Sequence, residues 1–450
     1  MNKTKHEKSD GSFRRLLESL VDTVLILLGY YLAFQLRYGF NPASRNLEPF
    51  EALLPLIALL AMGLLFFNRL YIEELTGRLE LGFRLVLSLG LLGILTMAAA
   101  FADRGFAFPR SIFALAFLIQ TGILYVWKSF RMHRLWEQRP VRTALVLGPP
   151  EETAPVSERI QASPHLGLRA QAVPSDSDVQ LSIDSPGVLI LCPGLAQESR
   201  SRYMEIGLTS GWEVFVVPDY RDILLNSAGV RYLEDKPVLY IRGLTLSLEQ
   251  QFLKRAMDLV LGTLLLLAAL LPMALMALRI RLHDGGPALF RQERLSRYGK
   301  RFILLKFRTM VQDAEKETGP VLAEESDGRL LPFGARMRER RLDELPQLIN
   351  VLKGEMSLVG PRPERPELAE MLEENIEGFT ARLMVKAGLT GLAQIQGRYD
   401  TRPEDKLNLD LMYIRRYSPL LDLWILAGTI RTVLKKEQGR GVRTESTGGD

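Results

Sequence analysis

Four long apolar stretches set the main limit on what this chain can fold into. They are Leu16–Leu36, Phe50–Phe67, Leu79–Phe101 and Ser111–Trp127. Each approaches the roughly 20 residues that cross a bilayer core. Hydrocarbon offers no partner to a peptide group, so such stretches span as helices. Residues 16–138 are therefore expected to form four transmembrane helices. Glu18, Asp22 and Arg84 fall near span ends, where long or tilted helices tolerate charge. The polar segment 1–15 carries Lys3, Lys5, Lys8, Arg14 and Arg15, and Lys128, Arg131, Arg134, Arg139 and Arg142 follow the fourth span. With four crossings these flanks share a side, and their charge makes that side cytoplasmic. The run after Arg15 lacks a small-residue cleavage site, so it reads as a retained first span rather than a signal peptide.

The net charge of +5 over 450 residues suits an anionic membrane surface or a phosphate-bearing partner, and is too small to argue for nucleic acid. The single cysteine, Cys192, excludes an internal disulfide or a Cys-x-x-Cys metal site. His6, His133, His165 and His283 are scattered, so no histidine cluster is readable.

From Arg142 the composition changes. Thr143–Gly148, Val188–Cys192 and Glu213–Val217 are short β-type runs separated by polar, helix-permissive segments. That alternation predicts a small parallel α/β domain ending near Arg242. Only Gly148 of a dinucleotide fingerprint is present, followed by Pro149, Pro150, Glu151 and Glu152. Prolines stiffen the turn and carboxylates repel phosphate, so no dinucleotide is expected there. A regulatory or dimerising module is the better expectation.

Leu259–Leu278 is another long apolar run. Its length alone favours a fifth crossing. Pro272, which should kink or break it, and the basic flanks Lys254, Arg255, Arg279 and Arg281 favour a hairpin that enters and leaves on one face. These residues leave both readings open.

Several motifs then follow closely: PALFRQ (287–292) with Arg294, KFRTM (306–310), LDELPQLINVLKG (342–354), MSLVGPRP (356–363), GLTGLAQIQG (388–397) with Arg398, and LNLDLMY (407–413). Asp343 and Glu344 stand at a predicted helix start with Pro346 in its first turn. Alone, such a run is an ordinary helix start. Here Arg336, Arg338, Arg340 and Arg341 precede it, and with the helix dipole they should keep both carboxylates ionised. An ionised carboxylate can attack phosphorus, and its neighbour can ligate Mg²⁺ together with phosphate oxygens. Arg294, Lys306, Arg308, Arg362 and Arg398 are candidate binding cations for a diphosphate. Gly388, Gly391 and Gly397 are expected to let backbone approach a ligand.

These motifs resemble the bacterial sugar transferase family, the polyprenyl-phosphate phosphoglycosyl transferases with a membrane-inserted catalytic domain. The resemblance runs from about Gln251 to Leu434. The whole chain looks like the long members: a membrane protein, α plus α/β, with a four-helix transmembrane bundle, a small Rossmann-like (CoA-binding-like) domain at 139–243, and a mainly helical catalytic domain at 251–450. The resemblance implies a re-entrant membrane helix at 255–280 with its kink at Pro272. It also implies Asp343 as nucleophile and Glu344 in Mg²⁺ binding or activation. The implied reaction moves a hexose-1-phosphate from a UDP-sugar to undecaprenyl phosphate, releases UMP, and starts exopolysaccharide, capsule or O-antigen synthesis at the bacterial inner membrane. A homodimer is compatible with the long members. One departure is Leu271, where the family often has Ser before the proline.

Two rivals differ in class. A membrane-tethered nucleotide-sugar dehydratase or epimerase needs an intact glycine fingerprint and a Tyr-x-x-x-Lys pair, and 142–242 contains no such pair. A non-enzymatic assembly scaffold explains the spans but not the acidic pair with its ordered cations.

Overall fold

The computed structural model describes residues 3–39, 44–68, 70, 78–102, 110–137, 140–163, 166–174, 187–226, 228–311, 328–397 and 401–434. The chain divides into two compact units, 1–190 with 194–215 and 191–193 with 216–450.

The first unit begins with four helices: α1 (Lys3–Tyr38), α2 (Ser44–Phe67), α3 (Arg78–Ala102) and α4 (Arg110–Glu137). Each contains a stretch long and apolar enough to cross a membrane. Their buried positions recur every three or four residues: Ile26, Tyr30, Ala33 on α1; Ile57, Ala61, Leu65 on α2; Leu81, Leu85, Leu89, Leu92 on α3; Ile112, Ala116, Gln120, Leu124 on α4. One stripe of each helix thus faces a shared core. Asp22 is not at a solvated end as expected. It is wholly buried and pairs with Lys128 Nζ at 2.6 Å, and Arg131 pairs with Glu18. These pairs join the start of the first span to the end of the fourth. Gly29 lets the helices close, since a Cβ there would meet Gln120 Cγ at 2.4 Å. Gln120 Nε2 then donates to the Ile26 carbonyl at 2.9 Å.

The α/β part comprises β1 (Arg142–Leu147), α5 (Pro150–Gln161), β2 (Leu168–Val173), β3 (Val188–Leu191), α6 (Gln197–Thr209) and β4 (Glu213–Val216). The sheet order is β2-β1-β3-β4, with β1 and β2 parallel from Arg142↔Leu168 to Leu147↔Val173. All four residues of β3 are buried, as befits a strand covered on both faces. After β1, Glu152 accepts from the Gly194 amide at 2.9 Å.

The second unit starts with α7 (Tyr220–Leu225) and a hairpin of β5 (Gly229–Leu233) and β6 (Lys236–Tyr240). The division between units falls near residue 216. The reason is packing: Ile223 of α7 belongs to the core of the second unit. Next come α8 (Leu248–Asp284), the hairpin β7 (Leu289–Leu295) and β8 (Arg301–Phe307), α9 (Gly334–Glu339), α10 (Gln347–Lys353) and β9 (Ser357–Val359). The chain continues with α11 (Pro366–Asn375), β10 (Gly388–Thr390), α12 (Leu392–Gln396), α13 (Pro403–Arg415) and α14 (Pro419–Leu434).

Pro272 does not divide the apolar run into two helices: α8 continues through it. One stripe of α8 packs on the domain along its whole length. Lys254 donates to Tyr413 Oη and Asp422 at 2.8 and 2.7 Å, and Asp258 accepts from Ser357 Oγ and Leu358 N, both at 2.9 Å. At the far end Ile280 is buried with Phe307, Phe333 and Met337, and Asp284 pairs with Arg308. Leu264, Leu267, Leu271, Leu275, Leu278 and Leu282 are exposed. Both ends of α8 are thus tied to the same unit, an arrangement that suits a helix entering and leaving on one face. In a Cys192→Ser background, cysteines replacing Glu249 and His283 should both react with an impermeant thiol reagent added on one side only. Labelling of the two from opposite sides would show that α8 crosses.

Candidate active site

The site begins at a chain reversal. Arg341 adopts left-handed backbone angles (φ 51°), sparsely populated for a side-chain-bearing residue, and turns α9 into a single 3-10 turn at Leu342–Glu344. Asp343 and Glu344 thus lie on this turn rather than in the first turn of α10, which starts at Gln347 behind Pro346. α10 ends at Gly354, whose left-handed conformation (φ 85°) lets its amide cap the Asn350 and Val351 carbonyls.

Asn350 ties α10 to β8. Its amide donates to the Ile303 carbonyl at 2.8 Å and accepts from Leu305 N at 3.1 Å. That locks the strand carrying Lys306 beside the acidic turn. Lys306 Nζ lies 3.8 Å from Glu344 Oε1, Arg341 Nη1 3.7 Å from Oε2, and Arg362 Nη2 3.1 Å from Oε1. Asp343 is buried, and among the described residues none forms an ion pair with it. Arg338, whose Nε donates to Thr309 Oγ1 at 2.9 Å, contributes a more distant positive charge.

The two carboxylates are therefore not equivalent. Burial, and then the charge of Glu344, raise the Asp343 pKa, only partly offset by Lys306 and Arg338. Burial also acts to raise Glu344, but Arg362, Lys306 and Arg341 outweigh it and hold that carboxyl below its usual range. Lys306 is lowered by burial, with Glu344 opposing. The arrangement is a committed carboxylate beside an uncommitted one, with more positive than negative charge around them.

The other expected binding residues separate. Arg308 is directed away: it pairs with Asp284 and donates from Nε to the Pro287 carbonyl at 2.9 Å, so it anchors the end of α8. Arg294 donates to Gln292 Oε1 and to the Pro363 carbonyl at 3.1 Å, which makes it a clamp on the loop bearing Arg362. Arg398 lies outside the described residues. The glycines also serve a different end. A Cβ at Gly388 would fall 2.1 Å from Gly360 N, and one at Gly391 2.2 Å from Gly360 O. They admit backbone to backbone, joining GLTGL to the GPRP loop, rather than backbone to ligand.

The sequence profile of the bacterial sugar transferase family matches residues 249–436. An uncharacterized sugar transferase of Bacillus subtilis is 42% identical over 185 residues, 41% of this chain and 89% of that protein. The chain belongs to the bacterial sugar transferase family. The UDP-glucose:undecaprenyl-phosphate glucose-1-phosphate transferase of Escherichia coli is 37% identical over 222 residues, 48% of each chain. The undecaprenyl-phosphate galactose phosphotransferase of Salmonella typhimurium is 33% identical over 240 residues, 50% of each. The chain thus spans about half the length of these curated relatives. In this transferase the acidic turn, Lys306 and Arg362 all fall inside the matched region.

Three residues of the site have no role in the motif reading: Asn350, Arg382 and Asp410. Asn350 had a readable signal, since a polar residue between Leu348 and Val351 on an apolar face has to be satisfied by a partner. Asp410 lies in LNLDLMY and is almost wholly buried against Arg382, at 2.7 Å. Burial raises its pKa from 3.8 to about 6, with Arg382 opposing and Glu364 reinforcing. A carboxyl raised in the folded state contributes its full stability below the unfolded pKa and loses it as pH rises through the folded one. The stability of the transferase relative to its Asp410→Asn variant should therefore fall between about pH 4 and pH 6, by up to about 3 kcal/mol, and stay level above. Chemical unfolding of the detergent-solubilised proteins at stepped pH checks this; a relative stability that rises with pH would contradict it.

Proposed function

We propose that this transferase moves a hexose-1-phosphate from a UDP-sugar to undecaprenyl phosphate and releases UMP, at the cytoplasmic face of a bacterial inner membrane. The step would start a surface polysaccharide such as an exopolysaccharide, capsule or O-antigen. The reading rests on one observation above all: a buried Asp343 that forms no ion pair among the described residues, next to a Glu344 held by three cations. It is supported by relatives whose names give this activity, and by flanks of α1 and α4 that share one basic end.

Asp343 is the better nucleophile because its electron pair is not neutralised by a salt bridge and its basicity is raised rather than lowered. Its carboxylate oxygen attacks the phosphorus that bears the sugar. The new bond is carboxylate oxygen to phosphorus, and the bond broken joins that phosphorus to the bridging oxygen of UMP, which leaves with the bond electrons. In a second step an oxygen of the lipid phosphate attacks the same phosphorus and restores the Asp343 carboxylate. Lys306, Arg362 and Arg341 offset charge on the diphosphate and on the departing UMP.

Mg²⁺ fits this donor set as a partner of the substrate. Among the described residues no group of three or more His, Cys, Asp or Glu side chains converges. Two carboxylates completed by phosphate oxygens nevertheless suit this ion. Asp343 and Glu344 would hold it, and it would supply charge screening for the phosphates.

Asp343→Asn keeps the shape and removes the anionic oxygen. UMP release from a panel of UDP-sugars, with undecaprenyl phosphate and Mg²⁺, should fall at least about 100-fold, equivalent to about 3 kcal/mol of barrier. With lipid acceptor withheld, intact-protein mass spectrometry should detect a phosphosugar adduct on the native protein, mapped to Asp343 and absent from the variant. Near-native UMP release by Asp343→Asn would place the nucleophile elsewhere.

A further inference from the structure

Arg362 reaches Glu344 from the loop Gly360–Pro363, between β9 and α11, and its own side chain is only partly covered. Something behind the loop has to fix where that guanidinium ends. The Pro361 carbonyl accepts from the Gly388 amide at 2.8 Å and the Pro363 carbonyl from Arg294. The carbonyl of Arg362 itself accepts from Arg382 Nη2 at 3.0 Å. Arg382 comes from a 3-10 segment, Phe379–Met384, and is buried. Its guanidinium is held from other sides by Asp410 Oδ2 at 2.7 Å, Glu364 Oε1 at 3.5 Å and the Phe379 ring, 5.0 Å from its centroid.

A buried ion pair of this kind is a poor source of stability, because desolvation cancels most of its attraction. What it does supply is direction. The planar fork of arginine can hold a carboxylate and a backbone carbonyl at once in fixed geometry, which a lysine cannot reproduce. We propose that Arg382, oriented by Asp410, is a positioning residue that sets the Arg362 guanidinium against Glu344 and the incoming diphosphate. This rests on the phosphosugar-transfer reading above. Arg382 touches neither member of the acidic pair, so its influence on the chemistry passes through Arg362.

The test is a double-mutant cycle on UMP release by the full-length protein in detergent or nanodiscs, with UDP-sugar and undecaprenyl phosphate. One arm is Arg362→Gln. The other is the paired change Arg382→Gln with Asp410→Asn, which leaves no uncompensated buried charge. The paired change should lower kcat about tenfold in the native background and less than about twofold in the Arg362→Gln background, because its route is already removed. Arg382→Lys should resemble the paired change rather than the native enzyme. Thermal unfolding is followed for every variant. If the paired change unfolds the protein, Arg382→Lys takes its place in the cycle. Multiplicative effects of the two arms, or native kcat with Arg382 replaced, would overturn the positioning role. A native protein that releases no UMP from any UDP-sugar would instead overturn the reaction on which the proposal rests.

Discussion

Burying the carboxylate of Glu344 is the constraint around which the second unit is arranged. A charge taken out of water has to be met by opposite charge and hydrogen bonds. The chain meets it with cations from three separate segments: Lys306 from β8, Arg341 from the turn before, and Arg362 from the loop after β9. Each segment has its own fastening. Asn350 holds β8, the left-handed Arg341 forms the turn, and Arg294, Arg382 and the close-set glycines hold the loop. Among the described residues these cations pair with Glu344 and none pairs with Asp343, so one carboxylate is quiet and the other is available.

Much of this architecture is legible in the sequence, and the parts that are not have physical reasons. The apolar runs mark four helices because nothing else in a chain repeats hydrophobicity over such lengths. β3 is visible because VLIL is buried on both faces, whereas β2, Leu168–Val173, escapes notice: it carries Arg169 and Gln171 among small residues and is partly exposed along its length. Pro272 is a helix breaker by propensity, yet α8 absorbs it. Propensity is a weak prior when one stripe of a helix is pinned along a domain.

For the site, the motifs offer the acidic pair and five candidate cations, of which the structure brings Lys306 and Arg362 to Glu344. The roles of Arg308 and Arg382 are not legible there. Sequence spacing carries no information about which carboxylate either arginine will find. Arg308 meets Asp284 at the end of α8, while Arg382 meets Asp410 and turns inward to the loop. Gly388 shows the same limit, since a residue needed for close approach does not reveal what approaches.

The pairing of Asp22 with Lys128 has a consequence for how the membrane part is made. Glu18 and Lys128 are 110 positions apart, so the carboxylates of the first helix leave the ribosome long before their partners exist. Until then α1 carries two acids that hydrocarbon penalises. Their partners, Lys128 and Arg131, come only with α4. The four helices are thus tied by their first and last members, so removing α4 would leave both acids of α1 without the cations that meet them.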